Sequence, residues 1–151
     1  MSRRLSDRLG MPLLGVVGLA ALAAPRVVAH DLDLVSPAVN SVLVFAPLLA
    51  WIGVVWWRRV PNPFVTLLAV GVVYGVMLAV IHQLLWSRSF DGAPPELGGN
   101  LAGVLAPAVE SGVIRVFAFG GSLVTGTLVG AATGAVAWLL AKATRRGTGP
   151  E

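Results

Sequence analysis

The chain has 151 residues, a length that suits one domain; 56% of them are hydrophobic, only 12% are charged, and the mean hydropathy is +0.83. A soluble domain carries about 25% charged residues, so this chain has half the charge needed to clothe a globule. Four charge-free stretches, Leu9–Pro25, Leu34–Trp57, Val60–Ser87 and Val116–Ala141, cover almost two-thirds of it, and since a membrane-crossing helix needs about 20 mainly apolar residues, a soluble enzyme, a disordered tail and a disulfide scaffold are all excluded.

With no cysteine, the chain has no disulfide framework, thiolate nucleophile or cysteine metal site. Its net charge of +4 and pI near 11.1 would suit a polyanion partner. The arginines, however, sit at the ends of apolar segments, where membrane topology accounts for them without nucleic acid. Arginine far outnumbers lysine, Lys142 being the single one, a bias that fits a GC-rich bacterial genome.

The first helix is read over residues 9–29. Arg3, Arg4 and Arg8 precede an apolar run rich in small residues, a pattern shared with secretory signal peptides, and Val27-Val28-Ala29 before His30 resembles a cleavage site. Pro25-Arg26 just upstream argues instead for a retained helix, with Arg26 snorkelling to the interface. Residues 30–37 form a short polar connection. The second helix, 38–57, contains Pro47, which removes a backbone donor and kinks the helix unless neighbours repair the loss. Trp56-Trp57-Arg58-Arg59 marks its boundary, because indoles prefer the headgroup region and paired arginines hold that end in place. Pro61-Asn62-Pro63 forces a tight turn, which makes helices two and three an antiparallel hairpin.

The third helix spans 64–86 and ends in Trp86, a further interface anchor. Residues 87–113 form an outer loop. Within it Leu101, Val104, Leu105 and Val109 recur at helical spacing, broken by Gly98, Gly99, Gly103 and Pro107. Leu97–Val109 is therefore read as a short interfacial helix, with a re-entrant segment as the alternative. The fourth helix, 114–144, exceeds what a perpendicular crossing of ~30 Å requires. It must tilt, extend or bend, and Gly120-Gly121 is the natural bending point.

Topology follows from the basic residues. With the N-terminus inside, eight lie on the inner side (Arg3, Arg4, Arg8, Arg58, Arg59, Lys142, Arg145, Arg146) and three outside (Arg26, Arg88, Arg115). The expected fold is an all-α integral membrane protein, a four-transmembrane-helix bundle with both ends inside and a short interfacial or re-entrant segment between helices three and four.

Helix four carries a ladder of small residues, Ser122, Gly126, Gly130 and Gly134, each four apart. Positions i and i+4 share a face, and without side chains two backbones approach closely. Gly71, Gly75 and Ala79 echo it in helix three, and Ala46 and Ala50 in helix two. These faces pack within one bundle, or against a second copy or around a narrow pore. His82, with Gln83 and Trp86 beside it, lies about 12 Å from the middle of its span, close under the outer headgroups. There it reads as an interfacial anchor, with a ligand or proton site as the sharper alternative. His30, Asp31 and Asp33 lie on the same side but lack metal-ligand spacing. Glu110 and Arg115 form an outer salt bridge, or Arg115 pairs with Asp91 or Glu96, or recognises an anion. Tyr74 sits at mid-depth with Thr66, Ser122, Thr125, Thr127 and Thr133, whose hydroxyls usually bond back to the preceding turn.

No Asp, Glu, Lys or Arg occupies the central stretch of a span, whereas ion-coupled carriers usually keep an ionisable group at depth. Phosphate-binding glycine loops and serine-nucleophile motifs are missing too. The expected function is a non-catalytic accessory, assembly or scaffolding subunit of a bacterial plasma membrane. Its expected partners are the lipid bilayer and a homo-oligomer or larger membrane complex, with no cofactor, metal or nucleic acid. The runner-up is a pore or carrier for a small neutral solute through helices three and four. A membrane enzyme using His82 and outer carboxylates ranks last.

Overall fold

The computed structural model describes residues 2–90 and 92–146. Its helices are α1 (Ser2–Leu9), α2 (Leu13–Ala21), α3 (Ala24–Asp31), α4 (Pro37–Trp57), α5 (Pro63–Ser89) and α6 (Pro107–Arg146). Among the described residues there is no strand, and four stretches are long and apolar enough to cross a membrane: Leu13–Asp31, Pro37–Trp57, Pro63–Ser89 and Pro107–Thr144.

The first span is two helices, not one. Pro25 has no N–H and its ring opposes continuation of the preceding turn, so the chain tightens there. Leu22 N–H bonds to Leu19 O and Ala23 N–H to Ala20 O, both at 3.1 Å. The second span fastens the first close to the break, because the indole Nε1–H of Trp51 donates to Leu19 O at 2.6 Å, an oxygen that also accepts from Leu22 N–H.

Local chemistry sets the other boundaries. Ser36 caps α4 by accepting from Val39 N–H at 3.4 Å, and Asn62 caps α5 by accepting from Val65 N–H at 3.3 Å, each followed by proline in the first helical turn. Two helices close through a left-handed residue. At the end of α3 it is Asp33 (φ 50°), with Leu34 N–H bonded to Ala29 O; at the end of α4 it is Arg59 (φ 50°), with Val60 N–H bonded to Val55 O. Gly10 (φ 62°) ends α1 against the α4–α5 turn, where a Cβ would strike Pro61. The Thr66 hydroxyl fastens the same junction, lying 2.8 Å from Leu9 O and from Asn62 O.

Two expectations about the loop and the fourth helix need correcting. Residues 97–109 do not form an interfacial helix; they hold one 3-10 turn, Gly99–Leu101, and α6 already starts at Pro107. The reason is conformational. Gly99 and Gly103 adopt φ of 63° and 67°, outside the right-handed helix, whereas proline at Pro107 is suited to a first helical turn. The fourth helix is therefore a single helix of 40 residues.

Apolar side chains fill the core and also cover the surface. The buried side chains include Val16, Val27, Trp51, Val55, Leu67 and Val70, whereas Leu14 (81% exposed), Leu84 (79%) and Phe117 (75%) point outward. Helix α5 is central, with Thr66, Leu67, Val70, Gly71, Tyr74, Gly75, Leu78 and Ala79 buried along it. Ala46 of α4 is exposed, so the small residues of the second helix do not join a common ladder.

Candidate functional site

The α5–α6 contact is made of backbone. A Cβ added at Gly71 would meet Gly126 O and Gly130, and one added at Gly126 would meet the backbone of Gly75. At Gly130 it would lie 2.6 Å from Leu67 O, at Gly134 2.9 Å from Phe64 O, and at Gly75 3.1 Å from Ser122 O. Real Cβ atoms essentially never come within 3.0 Å of such neighbours, so Gly71, Gly126, Gly130 and Gly134 each require glycine, while Gly75 is a tight but less strict position. It runs antiparallel from Phe64–Gly134 to Gly75–Ser122, and Ala79 is buried one turn beyond Gly75.

Where the seam ends, polar side chains begin. His82 shares the α5 face of Gly71, Gly75 and Leu78, following them at helical spacing. Its Nδ1 lies 3.3 Å from Ser122 Oγ, and its Nε2 lies 3.3 Å from Asp31 Oδ1 at the end of α3. The carboxylate is 8% exposed and the imidazole 33%. Ser122 has one hydroxyl hydrogen and donates it to Ala118 O at 2.9 Å. The hydroxyl oxygen therefore accepts from Nδ1–H of His82. With Nδ1 carrying hydrogen, the His82–Asp31 contact is a hydrogen bond when a proton also lies between Nε2 and the carboxylate. One imidazole thus joins the first, third and fourth spans.

Ser122 is 5% exposed on the seam, its proton is committed to Ala118, and the amides around it are spent within α6 rather than aimed at a reacting oxygen. Among the described residues no three His, Asp or Glu side chains gather as a metal would require.

Nearer mid-span, the Arg26 guanidinium of α3 lies close enough to Tyr74 of α5 to interact with its hydroxyl electrostatically. The Tyr74 ring meets Trp51 edge-on, with centroids 5.8 Å apart and planes at 71°. Three atoms in this half of the bundle, Arg26 Nε, Asp31 Oδ2 and Asn40 Oδ1, are buried without a hydrogen-bond partner.

The third cluster lies farther along α5. Arg115 donates to Gln83 Oε1 at 3.2 Å while Gln83 Nε2 donates to Arg115 O at 3.0 Å, and the guanidinium stands 4.9 Å from the Trp86 ring centre. Trp86 is buried, edge-on to Phe90. Glu110 and Arg115 do not pair. Five residues apart on one continuous helix, they point about 140° away from each other, and Glu110 instead accepts from Leu97 N–H at 2.6 Å, tying down the loop. Glu96 forms no ion pair with Arg115 either, and Asp91 lies outside the described residues.

Of the residues singled out from the sequence, the structure joins His82 to Ser122 and leaves Tyr74, Glu110 and Arg115 in separate contacts. It adds Asp31, Arg26, Gln83 and Trp51. The available signal for Asp31 was an acid ending one apolar span at the level where another span carries its histidine. Thr127 and Thr133 bond back to Leu123 O and Val129 O, and Thr125 is exposed.

Comparison of the chain with protein-family models, with curated proteins and with solved structures returns no match. The reading below rests on the residues alone.

Proposed function

We propose that the chain is a non-catalytic accessory subunit of a bacterial plasma membrane, crossing it four times with both ends cytoplasmic, and that it helps assemble or hold a larger membrane complex. The observation that carries this reading is the closed α5–α6 seam. Its glycines leave no space for a methyl group at Gly71, Gly126 or Gly130, which favours a solid support over a solute path between the third and fourth spans. The imidazole of His82 and the guanidinium of Arg115 are likewise occupied in joining helices.

A second reading, a carrier for a small neutral solute, draws on the buried, unpartnered atoms of Arg26, Asp31 and Asn40, since unsatisfied polar atoms are costly in a membrane interior and are often functional. Purification in mild detergent and reconstitution into liposomes separate the two. The subunit reading expects a stoichiometric membrane partner retained with the chain, and urea and glycerol permeability equal to that of protein-free liposomes. Permeability well above that level, lost in Arg26→Gln, would replace the subunit with the carrier.

A further inference from the structure

Opposite the His82 end, between the end of α4, the α4–α5 turn and the last turns of α6, lies a cavity of about 480 Å³ whose walls include Val55, Trp56, Arg59, Pro63, Ala141 and Thr144. A second, of about 380 Å³, is lined by Val54, Trp57 and Arg58. Trp57 also borders the first cavity and stands between the two.

The charges at this end are one-sided. Arg58 and Arg59 are exposed, and among the described residues neither guanidinium has a hydrogen-bond, ion-pair or ring partner. Lys142 of α6 stands 4.9 Å from the Trp138 ring centre. Asp7 is the described carboxylate nearest this end in the fold, because α1 finishes against Thr66 and Pro61, and it forms no ion pair with these cations. Asp31, Asp33, Glu96 and Glu110 belong to the other end. Arg59 is also fixed in place, since its left-handed backbone closes α4.

Size and lining choose the ligand. Binding pockets for organic molecules run to ~300–1,000 Å³, far more than an inorganic anion fills. The walls combine the Arg59 guanidinium, a group that grips phosphate through charge-assisted hydrogen bonds, with aliphatic surface and two indoles that favour headgroup depth. Basic pockets between membrane helices suit acidic headgroups. We propose that this cavity binds an anionic phospholipid, its phosphate held by Arg59 and its glycerol and first acyl carbons lying against Trp56 and Ala141. This inference stands independently of the subunit reading.

The test uses the full chain in nanodiscs of phosphatidylcholine alone or doped with phosphatidylglycerol, reading melting temperature and, by native mass spectrometry, retained lipid. The expected result is preferential retention of phosphatidylglycerol with a raised melting temperature. Arg59→Gln should weaken retention roughly tenfold, the loss expected for one charge-assisted hydrogen bond. Arg88→Gln at the other end should retain the lipid normally. If Arg59→Gln misfolds because that residue closes α4, Arg59→Asn decides, since asparagine tolerates the left-handed backbone while removing the charge. Equal retention of both lipids, unchanged retention in a folded Arg59 variant, or a melting shift reproduced by inorganic phosphate would each overturn the proposal.

Discussion

Asp31 Oδ1 and His82 Nε2 stand 3.3 Å apart although they belong to the first and third spans. The contact makes His82 a clasp between helices rather than an anchor to the headgroups alone. Its ring reaches Ser122 on one side and Asp31 on the other, so replacing it strands a carboxylate that is 8% exposed. His82→Ala should lower stability by ~1–3 kcal/mol, the usual cost of a buried polar group losing its partner. Adding Asp31→Asn to His82→Ala should recover part of that loss, because the remaining group is then uncharged. Thermal unfolding in detergent of wild type, both single variants and the double variant measures the coupling. Strictly additive losses would show that the pair contributes nothing.

Gly130→Leu should destabilise the bundle by more than the ~1–3 kcal/mol typical of overpacking. The added atoms meet the backbone of Leu67 and Gly71, and backbone cannot rotate out of the way. Gly18→Leu is the control, since a Cβ there meets nothing within 4 Å. Equal melting temperatures for Gly130→Leu and wild type would show that the seam opens without cost.

Trp51→Phe keeps most of the ring surface against Tyr74 but removes the hydrogen bond to Leu19 O. Interhelical hydrogen bonds in membranes average ~0.6 kcal/mol and reach ~1.7. A loss near the average is expected here, because Leu19 O keeps its bond from Leu22 N–H when the indole is gone. Comparing Trp51→Phe with Trp51→Leu by thermal unfolding separates the indole N–H from the packing. Identical stability of Trp51→Phe and wild type would mean that the indole bond contributes nothing to joining the two spans.

A reporter fused after Glu151 should read cytoplasmic, and one inserted at Ala93 external. The reason is the excess of basic residues at the end shared by α1, the α4–α5 turn and the close of α6. Reporter activity in the reverse pattern would invert the whole bundle.

Spans and the glycine spacing were legible in the sequence because each is a property of one segment. Charge-free length marks a span, and Gly126, Gly130 and Gly134 at intervals of four mark a face. The polar contacts were not legible in the same way. Periodicity places His82 on a face of α5 but does not say which neighbour covers it, so Asp31 could be read as a flanking acid. The loop misled for a related reason. Leu101, Val104, Leu105 and Val109 have helical spacing, yet the positive φ of Gly103 breaks the helical path between Leu101 and Val104. Pro25 was visible as well, but the bond from Trp51 to Leu19 O beside it comes from another helix, which no single segment reveals.

A seam of glycines has no rotamers to freeze. When α5 meets α6, no side-chain entropy is surrendered at Gly71, Gly75, Gly126, Gly130 or Gly134, and the loss is confined to the relative motion of two helices already joined by the loop of residues 90–106. The first span has no such shortcut. Asp31 reaches His82, and His82 reaches Ser122, and each gives up the freedom of a polar side chain to do so. Side-chain entropy therefore opposes the docking of the first span more than the closing of the α5–α6 seam.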